Sequence, residues 1–430
     1  MSSRLHPSQA RESLPALGRL LFDVEPKTLW ERDTQTLDRR YRKLRTRYRD
    51  FAAQYLAPRE LHADRGVTDD ENIQLFLAAA RQGFQSEFLP KPLGTGSLNA
   101  LLGGVLWPAV LKCEEFAAAD AGLGLGLLSH DLGAAPLVLS GDPKAIGMLR
   151  DIYKEIAAGE PAIVAFAITE PGAGSDVEDT DGAAQARIVT RATKVDGGYR
   201  INGQKCFITG GRVARWVTLF AALENRGVES WTCFLLDRSM PGFTVGRSER
   251  KMGQRATDAS ELLLEDVFVP DERVVGGLES GWALNRSTLN LSRPGIGAVC
   301  VGIARSAFEH AVTFCRTAKL GTRPLLSYQD VQLSLAEMLT KIQAARALVW
   351  HTARYGTPSG ATGAIPKAFA SRVAWEVSTE AMELLGDHGT LHARGVEKAA
   401  RDARLTLIYE GTHQMNLLAV VEGQAEAELG

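Results

Sequence analysis

Apolar and polar positions divide the chain into three successive parts. Up to about residue 160, apolar residues recur three and four positions apart, which is the spacing of amphipathic helices. From about residue 161 to residue 280, short runs of β-branched and aromatic residues alternate with turn residues, which predicts strands. The helical spacing then returns and continues towards the C-terminus. The pattern predicts an α+β fold that is mainly α, with a middle antiparallel β domain between an N-terminal helical domain and a C-terminal four-helix bundle.

The middle part contains a clear hairpin signal at Asp196-Gly197-Gly198. Asp-Gly pairs favour the tight turns that join antiparallel strands, so residues 187–194 and 199–209 are predicted to pair with each other. Further strands are predicted at residues 165–169, 217–223, 231–236, 243–245 and 262–269. The short strands and frequent turns together predict a small antiparallel domain.

Proline and glycine mark the helices of the last part. Pro294 is predicted in the first turn of the first bundle helix, where its missing N–H is not needed. The second and third helices are predicted at residues 329–355 and 366–385, with Gly386 as the C-terminal stop of the third. A fourth helix is predicted from about Gly395 towards Glu410.

Composition narrows the functional classes. A chain of 430 residues predicts two or three domains, and a net charge of −2 gives no indication of a nucleic-acid or membrane-surface partner. The arginine-rich stretch 39–49 lies between Asp38 and Asp50 and has helical apolar spacing, which favours a solvated helix face over a nucleic-acid-binding stripe. We expect no transmembrane helix, because no stretch approaches 18 consecutive apolar residues, and no secretory signal. Five cysteines without a CxxC pair indicate free thiols in a reducing cytoplasm.

Three stretches carry candidate chemistry. In Leu407–Thr412 a glutamate follows an apolar run and precedes a glycine, so its proton affinity can be tuned by burial. In Thr169–Asp176 two glycines form a turn that either approaches an anionic or aromatic cofactor or is a surface loop. This turn is not a dinucleotide-binding fingerprint, because GxGxxG is incomplete and no βαβ unit follows. His388 and His392 have a zinc-ligand spacing, but Gly389 stands where the motif needs glutamate, so no metal site is predicted.

Four blocks, taken together, resemble the acyl-CoA dehydrogenases in sequence, order and spacing. They are TEPGAGSD at 169–176, NGQKCFITGG at 202–211, KMGQRATDASELLLEDVFVP at 251–270 and RDARLTLIYEGTHQMN at 401–416. The resemblance extends from about residue 35 to the C-terminus, and the helical–β–helical order is the fold of that family. It implies an N-terminal extension (1–34), a helical domain (35–160), a β domain (161–280) and a helical bundle (281–430).

The resemblance implies FAD-dependent α,β-dehydrogenation of an acyl-CoA thioester to the trans-2-enoyl-CoA. The base must be a carboxylate whose pKa approaches neutrality when the substrate expels water, and Glu410 matches the position of this base in the family. A second position that the family uses for the base is Ser292 here, which cannot accept the proton. The resemblance therefore makes Glu410 the expected catalytic residue.

The remaining functional positions are also carried over from the resemblance. The residues expected to bind FAD are Phe166, Ile168, Thr169, Ser175, Phe207, Thr209, Gln329, Glu383, Gly386, Asp387, Thr412 and Gln414. The residues expected to bind the substrate are Ser175, Asn290, Arg293, Tyr409 and Gly411. The segment from Glu383 to Asp387 matches one that reaches FAD from a neighbouring subunit, so the resemblance implies a homo-oligomer, either a dimer or a tetramer.

The chain departs from the family pattern at positions expected to contact the end of FAD that lies away from the flavin ring. The family's Arg-x-x-Phe is Ala318-Lys319-Leu320-Gly321 here, which leaves Arg316 or Lys319 to neutralise the pyrophosphate. The family's Gln and its second Gly are Glu383 and Asp387, and added acid beside a pyrophosphate is electrostatically unfavourable. These differences predict weaker or altered contacts to FAD.

The acyl group and the electron acceptor are less well indicated. The helix matching the family's acyl pocket offers Gly124, Leu125 and Leu128, which disfavours a dicarboxylyl group and permits a linear, branched or cyclic apolar one. The expected acceptor is an electron-transfer flavoprotein, in the cytoplasm or, for a eukaryotic chain, in the mitochondrial matrix. An oxidase that uses oxygen is the first alternative. A non-catalytic nucleic-acid-binding or structural module is the second, and the acidic last ten residues argue against it.

Overall fold

The computed structural model describes residues 15, 28–97, 106–178, 182–224, 226–356 and 358–429. The chain divides into two units, residues 1–46 and residues 47–430. In the first unit, helix α1 (Leu29–Thr36) begins with a capping box, in which the Thr28 N–H donates to the Glu31 carboxylate at 2.8 Å. Most of the predicted N-terminal extension, residues 1–34, lies outside the described residues.

The helices before the sheet follow the predicted apolar spacing. They are α2 (Arg39–Phe51), α3 (Glu60–Ala63), α4 (Asp69–Arg81), α5 (Leu106–Ala119), α6 (Ala121–Leu139) and α7 (Pro143–Ala157). Asp120 starts α6, because its carboxylate accepts the N–H of Leu123 at 2.6 Å. Residues 98–105, which precede α5, lie outside the described residues.

The middle part forms one eight-stranded sheet. Its strands are β1 (Val164–Ala167), β2 (Arg191–Val195), β3 (Gly198–Thr209), β4 (Trp216–Leu223), β5 (Thr232–Asp237), β6 (Phe243–Ser248), β7 (Ala259–Pro270) and β8 (Val274–Val275). The order is β6-β7-β3-β2-β4-β5-β8, with β1 also paired to β4. The predicted hairpin is confirmed as β2 and β3, joined by Asp196-Gly197. Most pairs are antiparallel, as predicted, whereas β4 pairs in parallel with both β1 and β2.

The long strand β3 is interrupted by two irregularities in its pairing with β7. One lies between Lys205 and Ile208, where Phe207 has a left-handed backbone with φ of 58°. A bulge of this kind lets a side chain leave the regular alternation of the sheet. The Phe207 ring is consequently 59% exposed, although Cys206 and Ile208 on either side are buried.

The last part is a bundle of long helices. They are α8 (Gly281–Thr317), α9 (Gln329–Ala353), α10 (Gly360–Leu385), α11 (Val396–Thr406) and α12 (His413–Leu429), with a two-stranded pairing of β9 (Lys319–Leu320) and β10 (Arg323–Pro324) before α9. The prediction that Pro294 lies in a first helical turn is wrong, since α8 begins at Gly281 and Pro294 is in its interior. An interior proline removes one helical hydrogen bond, and Pro294 is buried in the packing of α8. Helix α12 was not predicted.

Helices α6 and α8 form much of the core. Both have the length and apolar content of a membrane span, but most of each apolar stretch is buried within the protein, as in the core helix of a soluble protein. Small residues allow α8 to lie very close to α5, because a Cβ added at Gly302 would stand 2.6 Å from the Glu114 carbonyl oxygen. This packing positions the residues of α8 beside the loop that follows α11.

Candidate active site

The loop between α11 and α12 holds the candidate base in a constrained conformation. Helix α11 ends at Thr406, and two successive residues, Glu410 (φ 56°) and Gly411 (φ 81°), then adopt the left-handed region. Glycine adopts this region freely, whereas a glutamate there costs about 1–3 kcal/mol. Such a conformation persists only where surrounding contacts impose it.

Three side chains hold the carbonyl groups of this loop. Arg293 Nε on α8 donates to the Glu410 carbonyl oxygen at 3.3 Å, and Lys367 Nζ on α10 donates to the Gly411 carbonyl oxygen at 2.6 Å. Asn416 Nδ2 donates to the Gly411 carbonyl oxygen at 2.9 Å. The loop is thus fixed from three helices, which explains how the left-handed glutamate is maintained.

The Glu410 carboxyl group itself is partly buried and has one short hydrogen bond. Ser292 Oγ donates to Glu410 Oε2 at 2.6 Å. Burial raises the pKa of Glu410 to about 7, although the Ser292 hydrogen bond and the nearby charges of Arg293 and Lys367 oppose this rise. A carboxyl group with this proton affinity can accept and release a proton near neutral pH.

A second carboxylate, Glu178, lies next to this loop. It ends the short helical turn Ser175–Glu178 and forms a buried ion pair with Arg293. Burial raises the pKa of Glu178, while the Arg293 guanidinium opposes the rise. Glu178 and Arg293 also line a channel of about 150 Å³, together with Asn290, Arg286 and Glu422.

The turn that bears Glu178 is anchored at both ends. Ser175 Oγ accepts the N–H of Thr412 at 3.2 Å, and the Trp282 indole N–H donates to the Val177 carbonyl oxygen at 2.8 Å. Of the residues expected to bind substrate or cofactor, these contacts therefore bring together Glu410, Tyr409, Gly411, Thr412, Ser175, Asn290 and Arg293.

Tyr409, which precedes the base, is held by a polar network. Gln254 Nε2 donates to Tyr409 Oη at 3.2 Å and to the Asp402 carbonyl oxygen at 3.0 Å. The Asp402 carboxylate is in turn paired with Lys398 at 2.7 Å. The β6–β7 loop that carries Gln254 therefore fixes the residue next to the base.

The residues expected at the flavin ring form a second group. The Cys206 N–H donates to the Thr169 carbonyl oxygen at 2.9 Å, which joins the end of β1 to β3 beside Phe207. Phe166 is buried in β1, and Ile168, Thr169 and Thr209 are partly exposed.

These residues fit the ring of the FAD that the resemblance implies. Phe207 presents an exposed aromatic face at the bulge, on which a planar ring can stack. A Cβ added at Gly174 would meet only Thr169 Cγ2, at 3.9 Å, so the turn after β1 is open to close approach. Thr412 is partly exposed and Gln414 is exposed, and both follow the base at the start of α12.

The residues expected at the far end of FAD lie apart from both groups. Gln329, Glu383, Gly386 and Asp387 are exposed, and no contact among the described residues joins them to Glu410. The rings of Phe314 and His388 are 5.3 Å apart, so the end of α8 lies beside the segment that follows α10. Arg316, one of the alternative cations for a pyrophosphate, is two positions from Phe314, and the acidic Asp387 directly precedes His388.

The two histidines considered as zinc ligands do not come together on one helix. His388 and His392 lie in separate short helical turns. His392 instead approaches Asp64 and Glu397. The Arg401 guanidinium already binds both of these carboxylates at 2.7 Å.

Sequence reasoning missed several contributors to the site. They include Glu178, Lys367, Asn416, Gln254 and the hydrogen-bonding role of Ser292. Lys367 had a visible signal, since it is one cation in the otherwise apolar stretch GAIPKAFA at 363–370. Glu178 directly follows the glycine-containing turn, but nothing local indicates that it pairs with Arg293.

Comparisons with known proteins agree with the observed fold. Residues 165–267 and 279–424 match the family models for the middle and C-terminal domains of acyl-CoA dehydrogenase. The chain is 34% identical over 383 residues to cyclohex-1-ene-1-carbonyl-CoA dehydrogenase of Geobacter metallireducens, covering 88% of this chain and 95% of that protein.

Two solved structures are similar over most of their length. Butyryl-CoA dehydrogenase of Megasphaera elsdenii has a TM-score of 0.81 and 30% identity, covering 91% of this chain and 99% of that one. A chain in a structure reported for the electron transferring flavoprotein of Acidaminococcus fermentans has a TM-score of 0.81 and 32% identity, covering 90% and 98%.

Proposed function

Because the chain belongs to the acyl-CoA dehydrogenase family of flavoprotein oxidoreductases, we propose that it converts an acyl-CoA with an apolar acyl group into the trans-2-enoyl-CoA and passes the electrons to an electron-transfer flavoprotein. The observation that carries this proposal is the Glu410 carboxyl group, with its pKa raised to about 7, in a loop held by Arg293, which also lines the channel. A neutral pKa suits the removal of a weakly acidic α-proton.

Glu410 acts as the base in this proposal. Its ionised carboxylate takes the α-proton, while Ser292 keeps one oxygen in place at 2.6 Å. The backbone N–H of Glu410 donates to no acceptor within the described residues, so it is free to polarise the thioester carbonyl. FAD, when bound, supplies the hydride acceptor.

The channel provides the route for the thioester. Arg293 already forms an ion pair with Glu178 and a hydrogen bond to the Glu410 carbonyl oxygen. We therefore assign Arg293 mainly to holding the loop that carries Glu410, and less to binding the CoA phosphates. Arg286 lines the same channel, is partly exposed and forms a 2.7 Å ion pair with Glu422. A phosphate group can replace Glu422 at this guanidinium.

The exposed positions of Gln329, Glu383 and Asp387 support a shared cofactor site. In a single chain the described contacts do not connect them with the base. We therefore assign them to the FAD of a neighbouring subunit in a dimer or tetramer.

An anaerobic titration of the purified holoprotein with a panel of acyl-CoAs tests the proposal. Straight, branched and cyclic apolar acyl groups should bleach the flavin absorbance, whereas a dicarboxylyl-CoA should not. Glu410→Gln should retain FAD and lower the bleaching rate by about 10²–10⁴-fold, the usual contribution of a general base. Undiminished bleaching in Glu410→Gln would remove Glu410 from this role.

The electron acceptor is tested by turnover with and without electron-transfer flavoprotein. We expect reduction of the added flavoprotein and little hydrogen peroxide. Rapid peroxide formation in air, without any added acceptor, would instead assign an oxidase.

A further inference from the structure

One arginine connects two carboxyl-bearing residues at the active site. Arg293 Nη2 binds the Glu178 carboxylate, Nε donates to the Glu410 backbone carbonyl at 3.3 Å, and Nη1 donates to Asn290 Oδ1 at 3.3 Å. Each nitrogen of the guanidinium thus has an acceptor. None of these acceptors is the carboxylate of Glu410, although both groups flank the same loop.

The two ends of this ion pair lie against Gly411. A Cβ added at Gly411 would stand 3.0 Å from Glu178 Oε2 and 3.1 Å from Arg293 Nη2. The ion pair therefore lies against the residue that follows Glu410, and the charges of both its members act on the Glu410 carboxyl group. Arginine forms its strongest contacts with carboxylates, commonly through two parallel hydrogen bonds. Without Glu178, the carboxylate of Glu410 becomes the natural partner of Arg293.

The buried positive charges around Glu410 also need a negatively charged partner. The titratable and polar groups that face it are Glu178 in the turn, Ser292 and Arg293 on α8, Lys367 on α10, Cys113 on α5, and Tyr409 in the loop itself. Two of these groups, Arg293 and Lys367, are buried cations. Among these groups, Glu178 is the carboxylate other than Glu410, and its ion pair with Arg293 balances one of the two positive charges. A base left with two uncompensated cations would hold its negative charge too firmly to accept a proton well.

We propose that Glu178 is a positioning residue that holds the Arg293 guanidinium away from the Glu410 carboxylate and thereby keeps Glu410 available as the base. This assignment rests on the proposed function only in that the proposed dehydrogenation is the reaction in which Glu410 acts as the base. The arrangement of Glu178, Arg293 and Glu410 can be tested without turnover.

The variant Glu178→Gln removes the charge with little change in shape. In wild type, the anaerobic bleaching rate should rise with pH as Glu410 ionises. In Glu178→Gln, the apparent pKa of this rise should fall by about one unit, because a like charge is lost and a cation is released towards Glu410. The rate at high pH should fall on the order of three- to tenfold, because a weaker base removes the proton more slowly.

Two further variants separate this role from a general structural one. Glu178→Asp keeps the charge and should recover most of the wild-type pH profile. Glu422→Gln removes an equal charge from the same channel, at the Arg286 pair, and should leave the apparent pKa unchanged even if the KM for the thioester changes. An equal shift in Glu422→Gln would overturn the assignment, because the effect would then be only a change in net charge.

The double variant Glu178→Gln/Arg293→Gln removes both members of the pair. If Glu178 acts through Arg293, the apparent pKa should return towards the wild-type value. A double variant that keeps the full shift of Glu178→Gln would contradict the proposal. This comparison also remains informative if Glu178→Gln alone folds poorly, because the double variant removes one buried cation together with one buried carboxylate and so leaves the balance of buried charge as in wild type.

An infrared pH titration of the holoprotein gives a readout independent of turnover. The carboxyl band that disappears in Glu410→Gln identifies Glu410, and its midpoint should be lower in Glu178→Gln. If no acyl-CoA reduces the wild-type flavin but this midpoint still shifts, the proposed function fails and the role of Glu178 stands. If wild type is active and the midpoint is unchanged in Glu178→Gln, the role of Glu178 fails alone.

Discussion

At the scale of single residues, the proton affinity of Glu410 results from opposing contributions. Burial raises the pKa to about 7, and the hydrogen bond from Ser292 is the largest of the effects that oppose this rise. Ser292 cannot act as a base, yet its hydroxyl group is 2.6 Å from the carboxylate that can. Ser292 therefore lowers the proton affinity of the proposed base, Glu410, by donating a hydrogen bond to it.

Replacing Ser292 should change the pH dependence of the reaction. In Ser292→Ala, the ionised form of Glu410 loses a hydrogen bond, so its pKa should rise by about one unit above the wild-type value. Since only the carboxylate accepts the α-proton, the acid limb of the bleaching rate should move to higher pH. At pH 7 this corresponds to a roughly fivefold lower rate, with a much smaller difference at pH 9.

Ser292→Thr is the matched control for this prediction. It retains the hydroxyl group and should preserve the wild-type profile. An acid limb that stays in place in Ser292→Ala would show that the hydrogen bond does not influence Glu410.

At the scale of elements, the two strands beside the expected flavin ring are joined by a buried ion pair. Lys205 on β3 binds the Glu170 carboxylate at 2.8 Å, and both side chains are inaccessible to solvent. Lys205 Nζ also donates to the Ile168 carbonyl oxygen at 2.8 Å. The other oxygen of Glu170 accepts the N–H groups of Val189 and Thr190. This cluster sets the position of the turn between β1 and the Glu178 segment.

Breaking this pair from one side should destabilise the protein strongly. Lys205→Met keeps the approximate shape but leaves Glu170 buried without its cation, which typically costs about 3–5 kcal/mol. The free energy of unfolding from urea denaturation, measured on the holoprotein, checks this value.

The control for Lys205→Met is the same substitution at a lysine on the neighbouring strand. Lys194 on β2 pairs with Asp271, but both side chains are about half exposed. Lys194→Met should have little effect, because exposed ion pairs contribute little to stability. Equal losses in the two lysine variants would mean that burial is not what gives the Lys205 pair its importance.

At the scale of the whole molecule, α8 links the parts of the second unit that build the site. It contacts α5 through Gly302 and α10 through Gly297 and also carries Ser292 and Arg293. A Cβ at Gly302 would meet three groups of α5 within 2.9 Å, two of them backbone atoms. The close approach of α8 to α5 therefore depends on the absence of a side chain.

A side chain at Gly302 should force these two helices apart. Gly302→Val is expected to cost on the order of 1–3 kcal/mol or more, the usual range for overpacking. Gly147, in the middle of α7, is the contrasting position, because an added Cβ there would meet nothing within 4 Å. Gly147→Ala should instead stabilise the helix by about 0.5–1 kcal/mol. Thermal unfolding of both variants would reveal opposite shifts, and a harmless Gly302→Val would contradict the packing.

Much of the fold could be predicted because its signals are local. The hairpin at Asp196-Gly197, the alternation of the strands and the three-and-four spacing of the helices are properties of neighbouring residues. Pro294 was misplaced because a proline favours a first turn locally, while the packing of α8 on two sides tolerates it in the interior. Exposed residues at the edges of the sheet and of the bundle have no comparable local sequence pattern.

The sequence by itself determined the order of the elements, the family resemblance and the identity of the candidate base, Glu410. Only the tertiary structure decided how that base is tuned. Ser292 and Glu410 are 118 positions apart, and Glu178 and Arg293 are 115 apart, so no local pattern relates them. The physical reason is that periodicity is encoded between neighbours along the chain, whereas burial and charge depend on which distant elements meet.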